Sequence, residues 1–424
     1  APWYNDRDKI KKICIEEGVT TIGDCAFYNI PGEFTVELPE SLTRIGYGAF
    51  LNCSNLWAIQ LPENVSYIGE RSFENCDRAT LLFKASELPK VLYPGWNGSD
   101  DKTAQTVVNV SEAGETEDGF MYYLTGDGYA GVYRYLGKEG MLTIPDTIEN
   151  LPVKKISTAA FMGNSGICDV TIPDTVEVID YHAFYGCSDL YRVYMPKNLV
   201  SIGESVFENC KALLDIELYD KVEEIGESAF AKCAEITSVT VPNGVTELKN
   251  SVFSGCTSLQ DVTLSENITT IDKYAFSNCS SLKKISLPES LQKIDYQAFK
   301  NTGLKSINIP KNVTYCDTAF ENCDDLKFVQ IDSPYIAKNV GTNDDTSHMV
   351  VAEYLCKYAD TVIFPTSVEE VSTYIIENFT NVMDVKNHSG DYKVYSNHEH
   401  DWNPEEWDGE PELGYEECVR DGYV

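Results

Sequence analysis

The sequence predicts a repeat solenoid, mostly β and coil, in which short parallel strands stack and a β-hairpin segment interrupts the array. Two periodicities carry this reading. Cys187, Cys210, Cys233, Cys256 and Cys279 stand 23 residues apart, as do Cys53 and Cys76. A phenylalanine keeps the same step through Phe27, Phe50 and Phe73, then Phe161, Phe184, Phe207, Phe230, Phe253, Phe276 and Phe299, with Phe320 following after 21. The chain has 14 cysteines in 424 residues, yet a fixed period points to stacked units before it points to a disulfide framework.

Each unit follows the template L-x-x-I-x-L-P-x-x-V-x-x-I-G-x-x-A-F-x-N-C-x-x. Its opening alternates with period two, as in Leu282-Lys283-Lys284-Ile285-Ser286-Leu287, which suits a short strand with Ile and Leu turned inward. Proline cannot donate a ladder hydrogen bond, so it ends that strand. The V-x-x-I-G stretch returns the chain, and the phenylalanine fills the coil interior beneath the small alanine. About five apolar side chains per coil, each contributing roughly 1.5–3 kcal/mol, do not offset the ordering entropy of one isolated unit. Stacked coils share one core.

The motifs Leu287-Pro288-Glu289-Ser290-Leu291-Gln292-Lys293-Ile294 and Ala275-Phe276-Ser277-Asn278-Cys279-Ser280-Ser281-Leu282 resemble the bacterial BspA-like leucine-rich repeats. The resemblance covers residues 8–85, 142–332 and 362–388. It implies a leucine-rich-repeat right-handed superhelix and a secreted or cell-surface protein of a host-associated bacterium, with adhesion or host interaction as its setting. The opening Ala1-Pro2-Trp3-Tyr4, followed by Ile10-Lys11-Lys12-Ile13, is similar to an early-repeat segment of such proteins. Neither an initiator Met nor a signal peptide precedes it, as expected of a mature or trimmed chain.

In chain order, residues 1–85 form a first repeat block and 86–141 an interruption. Within the interruption, 87–96 reads as a short helix or irregular cap. A hairpin follows, with Phe120-Met121-Tyr122-Tyr123-Leu124 and Ala130-Gly131-Val132-Tyr133-Arg134-Tyr135 flanking a Thr125-Gly126-Asp127-Gly128 turn. In the resembled family such hairpins open new arrays. The main array is expected over 142–332, and a helical insertion over 333–361 with an amphipathic helix at 350–359. A capping repeat at 362–395 keeps the offsets through Pro365, Val368, Val371, Ile376, Phe379, Val382 and Val385, and 396–424 is an acidic tail.

Composition is that of a folded protein, 43% hydrophobic and 24% charged. Lys plus Arg is 33 against 67 Asp plus Glu, a net charge of −34, which disfavours nucleic acid and anionic lipid as partners. No run of 18 apolar residues offers a transmembrane segment.

Candidate chemistry is sparse. Cys53, Cys76, Cys187, Cys210, Cys233, Cys256, Cys279 and Cys323 share a slot that Asn164 and Thr302 also fill. A slot this tolerant selects volume, so buried free thiols are expected, and no C-x-x-C suggests zinc. His398 and His400, with His388 nearby, could chelate a metal from an extended tail, but spacing fixes no third ligand and the tail reads as solvated. His182 is the one array histidine, at a variable position, and no G-x-S-x-G elbow occurs. No cofactor and no catalytic role are expected.

What remains is the outward strand face, the third and fifth template positions: Ala58/Gln60, Asp169/Thr171, Arg192/Tyr194, Asp215/Glu217, Ser238/Thr240, Asp261/Thr263, Lys284/Ser286 and Ser306/Asn308. Most are small and polar. The exception is Tyr191, Arg192 and Tyr194, flanked by Asp169, Asp215 and Glu217. Tyr and Arg are enriched at binding hot spots, so these six residues form the candidate ligand-binding set, with a cationic or hydroxyl-rich protein or glycan as partner. The sequence thus predicts a non-catalytic extracellular recognition scaffold. The alternative is a targeting or spacer module of a larger secreted enzyme.

Overall fold

A computed structural model describes residues 3–93, 95–97, 104–138, 140–316, 318–334, 355, 359–364 and 384–387. It is a parallel-strand β-solenoid in which each regular coil contributes to two ladders where the sequence reading foresaw one. The L-x-x-I-x-L stretch forms the expected front strand. The V-x-x-I stretch, read as a simple return, ends in a two-residue strand such as Arg44–Ile45 or Thr270–Ile271. Its apolar residue stacks in register from coil to coil: Ile45 on Ile68, Ile156 on Ile179 and Ile179 on Ile202, Leu248 on Ile271 and Ile271 on Ile294.

The phenylalanines form the spine. Rings of successive coils stack at 4.7–5.6 Å between centroids, from Phe27 through Phe73, Phe161 through Phe207, and Phe230 through Phe299. In the first block Trp3 adds a ring at one end, 5.7 Å from Phe27, and Trp96 closes the other edge-on at 6.2 Å from Phe73. The Asn of the template has a backbone reason. Asn29, Asn52, Asn75, Asn209, Asn278, Asn301 and Asn322 sit at φ of 55–64°, the left-handed region that asparagine tolerates best among residues with a Cβ. The template glycine answers to coil spacing, since a Cβ on Gly69 would lie 2.8 Å from the Tyr47 amide nitrogen.

By contact density the chain divides into two compact units, Ala1–Leu190 with Tyr194–Phe207, and Tyr191–Val193 with Glu208–Val424. In the first unit, front strands Ala58–Leu61, Thr80–Phe83 and Gln105–Val107 pair in parallel. The expected helix or irregular cap at 87–96 is instead part of another coil, because Val91–Leu92 pairs with Tyr67–Ile68. The hairpin forms as expected, Phe120–Thr125 against Ala130–Tyr135, and gains a third strand, Val110–Glu115. Ala130–Tyr135 then pairs in parallel with Leu151–Ile156, so the hairpin opens the next array.

That hairpin sheet also covers the front face of the coils at Ala58–Leu61, Thr80–Phe83 and Gln105–Val107. Leu82, Val107, Val110, Tyr123 and Tyr133 form one buried cluster, with Ala58, Ala113, Met121 and Tyr129 packed on it. Arg134 lies 4.3 Å above the Trp57 ring and 2.9 Å from Glu33. Gln105 continues the contact inside the unit, accepting from the Thr158 amide and donating to Asp180, which Lys155 pairs at 2.9 Å. Burial raises the Asp180 pKa despite the adjacent ammonium.

From Glu247–Leu248, which among the described residues is not paired with the preceding return strand Glu224–Ile225, the return ladder of the second unit runs without a gap through Thr270–Ile271, Lys293–Ile294 and Tyr315–Cys316. The front ladder does not. Ser238–Thr240 pairs with Asp261–Thr263, and Ser306–Ile309 with Phe328–Ile331, which continues into Thr361–Phe364 and Asp384–Asn387. The amphipathic helix expected at 350–359, the repeat positions 365–382 and the tail after 396 lie outside the described residues, apart from Leu355 and Ala359.

Candidate functional site

The front face of the second unit is open. Asp215, Glu217, Ser238, Thr240, Asp261, Thr263, Lys284, Ser286, Ser306 and Asn308 are all exposed, because alternation turns their neighbours Ile216, Val239, Ile285 and Ile307 into the core. Here the expected outward pattern holds. In three successive coils of the first unit the same template positions are occluded: Thr80 and Leu82 are fully buried, and Ala58, Gln60 and Gln105 are half-buried, whereas Lys12, Cys14, Thr35 and Glu37 of earlier coils are exposed.

The candidate six divide between the units. In the second, Arg192 bridges Asp215 through the backbone, the Leu214 amide donates to the Tyr191 carbonyl at 3.2 Å, and the Arg192 guanidinium lies 5.5 Å from the Tyr191 ring centroid. Tyr191 is 42% exposed, and Glu217 is exposed on the same face. In the first unit Tyr194 is 50% exposed, and its carbonyl accepts from the Ile172 amide at 3.1 Å. Asp169 departs from the expected exposed flank. It is half-buried, and its Oδ1 is buried without a hydrogen-bond partner among the described residues.

Sequence reading passed over a second feature of this face. Lys283, Lys305 and Lys327 occupy the second template position in three successive coils, and all are exposed. The Lys305 amide donates to the Lys283 carbonyl and the Lys327 amide to the Lys305 carbonyl, both at 3.0 Å, which fixes them as a column. Beside it the front ladder is interrupted, since residues 284–287 form no strand. A depression of about 310 Å³ opens there, lined by Lys284, Ser286, Ser306, Asn308 and Phe328 over a floor that includes Ile285 and Ile307. Phe328 is 39% exposed. The signal was present as three lysines 22 residues apart, a spacing that becomes a column only once the coils are stacked.

The cysteine slot proves more specific than volume. Cys53, Cys76, Cys187, Cys256, Cys279 and Cys323 are buried free thiols, each donating through Sγ to the carbonyl of the preceding coil's phenylalanine at 3.1–3.2 Å. Burial pushes Cys53 up to about 11 and Cys256 up to about 12, so neither is a nucleophile near neutral pH. Cys14, Cys25 and Cys168 are exposed. His182 holds a left-handed φ of 55° between the Tyr181 and Tyr185 rings, a position that Ser228 and Gln297 share in other coils. Among the described residues no three of His, Cys, Asp and Glu are grouped to hold a metal. The residues of the metal reading, His388, His398 and His400, lie outside them. No helix among the described residues is long and apolar enough to cross a membrane.

A family model for the BspA type leucine rich repeat region matches residues 3–90, 141–260 and 201–327, in six copies. No curated protein matches the chain. Among solved structures it is similar to a leucine rich cell surface protein from Faecalibacterium prausnitzii, with 28% identity over 66% of this chain and 77% of that one and a TM-score of 0.45. It is similar also to the leucine rich repeat protein of T. pallidum, with 33% identity over 40% of this chain and 91% of that one and a TM-score of 0.33. A leucine-rich repeat protein from Eubacterium ventriosum is 25% identical over 72% of this chain and 86% of that one, with a TM-score of 0.46.

Proposed function

The chain belongs to the BspA-type leucine-rich-repeat family, a family of interaction scaffolds, and from that premise we propose that it is a secreted or cell-surface recognition protein. Its partners are proteins or glycans, held on the strand face without catalysis, in the setting of adhesion or host contact. The observation that carries this reading is the open front face of the second unit, where successive coils present exposed polar residues on a stacked core. A face solvated by short side chains loses little entropy when a partner orders them.

Tyr191, Arg192 and Tyr194 are the proposed anchor. Tyrosine supplies rigid apolar area and arginine directional donors, while Asp215 and Glu217 favour a cationic or hydroxyl-rich partner over an anionic one. A host-protein and glycan-array screen tests the reading, followed by titration of the best partner against Y191A/R192A/Y194A. The triple variant should weaken binding by about 2 kcal/mol while its unfolding midpoint stays in place. Unchanged affinity would remove the anchor, and a screen without any partner would remove the recognition role.

A further inference from the structure

We propose that the lysine column and the adjoining depression of the second unit form a subsite for an acidic polysaccharide, a linear sugar polymer carrying carboxylate or sulfate groups. The inference rests on the strand face being the recognition surface, but it uses none of the residues of the tyrosine–arginine anchor.

The first support is charge. In a chain of net charge −34, Lys283, Lys284 and Lys305 make no ion pair among the described residues, and Lys327 stands 3.9 Å from Asp360. Lys283, Lys284 and Lys305 are thus available to an outside anion, each contributing modestly, so several must act together. The column is also regular: its backbones, hydrogen-bonded across adjacent coils, repeat about every 4.8 Å, so the three side chains spring from evenly spaced points, as a polymer with evenly spaced charges requires. Carboxylates beyond about 8 Å are screened at physiological salt, while Asp360, paired with Lys327, lies within that reach and leaves Lys283, Lys284 and Lys305 as the main contacts. Asp261, one coil before Lys284 at the same template position, bounds the basic patch on that side.

The second support is the lining. Ser286, Ser306 and Asn308 make no side-chain hydrogen bond among the described residues, so their hydroxyl and amide groups are available to sugar hydroxyls. Phe328 gives the depression an aromatic wall against which the apolar face of a pyranose can stack. Because residues 284–287 form no strand, backbone groups at the break are not committed to a front ladder and add further donors and acceptors. An acidic peptide would satisfy the lysines but leave this hydroxyl-and-aromatic combination largely unused. The depression is in the size range of small-ligand sites, and its lining residues Lys284, Ser306 and Phe328 directly follow the column lysines in sequence, so one polymer can occupy both.

The test is direct titration of the full chain with polygalacturonate, dextran sulfate, neutral dextran and poly-L-glutamate. At least one of the two acidic polysaccharides should bind, and which of them does so separates carboxylate from sulfate recognition. Binding should weaken several-fold between about 50 and about 200 mM salt. K283A/K284A/K305A should lower affinity about tenfold and flatten the salt dependence, with an unchanged unfolding midpoint. Phe328→Ala should lower affinity a few-fold and leave the salt dependence as it was. Y191A/R192A/Y194A should bind the polysaccharide like wild type. Wild-type affinity in the lysine variant, equal binding of neutral dextran, or poly-L-glutamate binding as tightly as either polysaccharide would each overturn the subsite. Absence of polysaccharide binding, while a partner from the screen still depends on Tyr191, overturns the subsite and leaves the strand-face reading intact.

Discussion

The front face of the three coils at Ala58–Leu61, Thr80–Phe83 and Gln105–Val107 and the front face of the second unit are built on one template and end in opposite states. In those coils the outward positions include Leu82 and Val107, and the hairpin seals them with Tyr123 and Tyr133. In the second unit the same positions carry Ser238, Thr240, Asp261 and Thr263, all exposed. The inward residues are alike in both, so the fold does not distinguish the faces. The outward residues do: apolar ones recruit a cover from the chain, and polar ones leave the face to solvent and to partners. A leucine-rich array thus declares its free surface by what it places at two positions per coil.

The sharpest way to break this comparison is to put the same charge on both faces. Leu82→Asp buries a carboxylate in the cluster beneath the hairpin, where Leu82 is 2% exposed, and should destabilise the protein by more than about 3 kcal/mol. Thr263→Asp places the same group on the open face and should change stability by no more than about 0.5 kcal/mol. Urea unfolding followed by tryptophan fluorescence reads both. Equal effects would mean that the hairpin does not seal the first face in solution.

Part of this contrast was legible beforehand. Thr80-Leu81-Leu82-Phe83 lacks the alternation of Asp261-Val262-Thr263, and a strand apolar on both faces is a strand covered on both faces. The period, the stacked phenylalanines, the buried thiols and the outward pairs of the second unit were equally readable, since each follows from one residue repeating at one offset. The return ladder was not, because a two-residue strand has no alternation to detect. Nor were the thiol bonds to phenylalanine carbonyls, or the lysine column, which join residues one coil apart and acquire meaning only when coils are stacked. Asp169 shows the limit at a single residue: its position predicted exposure, and local packing half-buried it.

The buried thiols test what the two regions share. Cys53 in the first block and Cys256 in the second unit have an ordinary pKa of 9.0, raised by burial to about 11 and about 12. A thiol whose folded value is raised favours the fold fully below pH 9, and that contribution is lost as pH climbs from 9 through the folded value. Each should therefore forfeit about 2 kcal/mol by about pH 10.5. Tyrosine and lysine titrate in the same window, so the measure is the difference in alkaline slope between wild type and Cys53→Ala or Cys256→Ala. Parallel slopes would show that water reaches the thiols in the folded state.

The smallest expected effect concerns one template position occupied by an aromatic in both regions. Trp57 and Tyr191 are equivalent, and each has a guanidinium above its ring, Arg134 at 4.3 Å and Arg192 at 5.5 Å. The two arginines differ in what they join. Arg192 adjoins its own aromatic in sequence, whereas Arg134 reaches from the hairpin to Trp57 and to Glu33, 101 residues away, and so ties the cover to the face beneath it. Arg134→Ala should destabilise by about 1 kcal/mol, the sum of a partly desolvated cation–π contact and an ion pair whose Glu33 side is exposed. Arg192→Ala should stay within about 0.5 kcal/mol and act on partner binding instead. Arg134→Lys should recover only part of the loss, because a lysine keeps the charge but not the planar group that stacks on an indole. Full recovery by lysine would assign the contact to charge alone, and an Arg192→Ala loss as large as that of Arg134→Ala would mean that the open face is also held by its arginine.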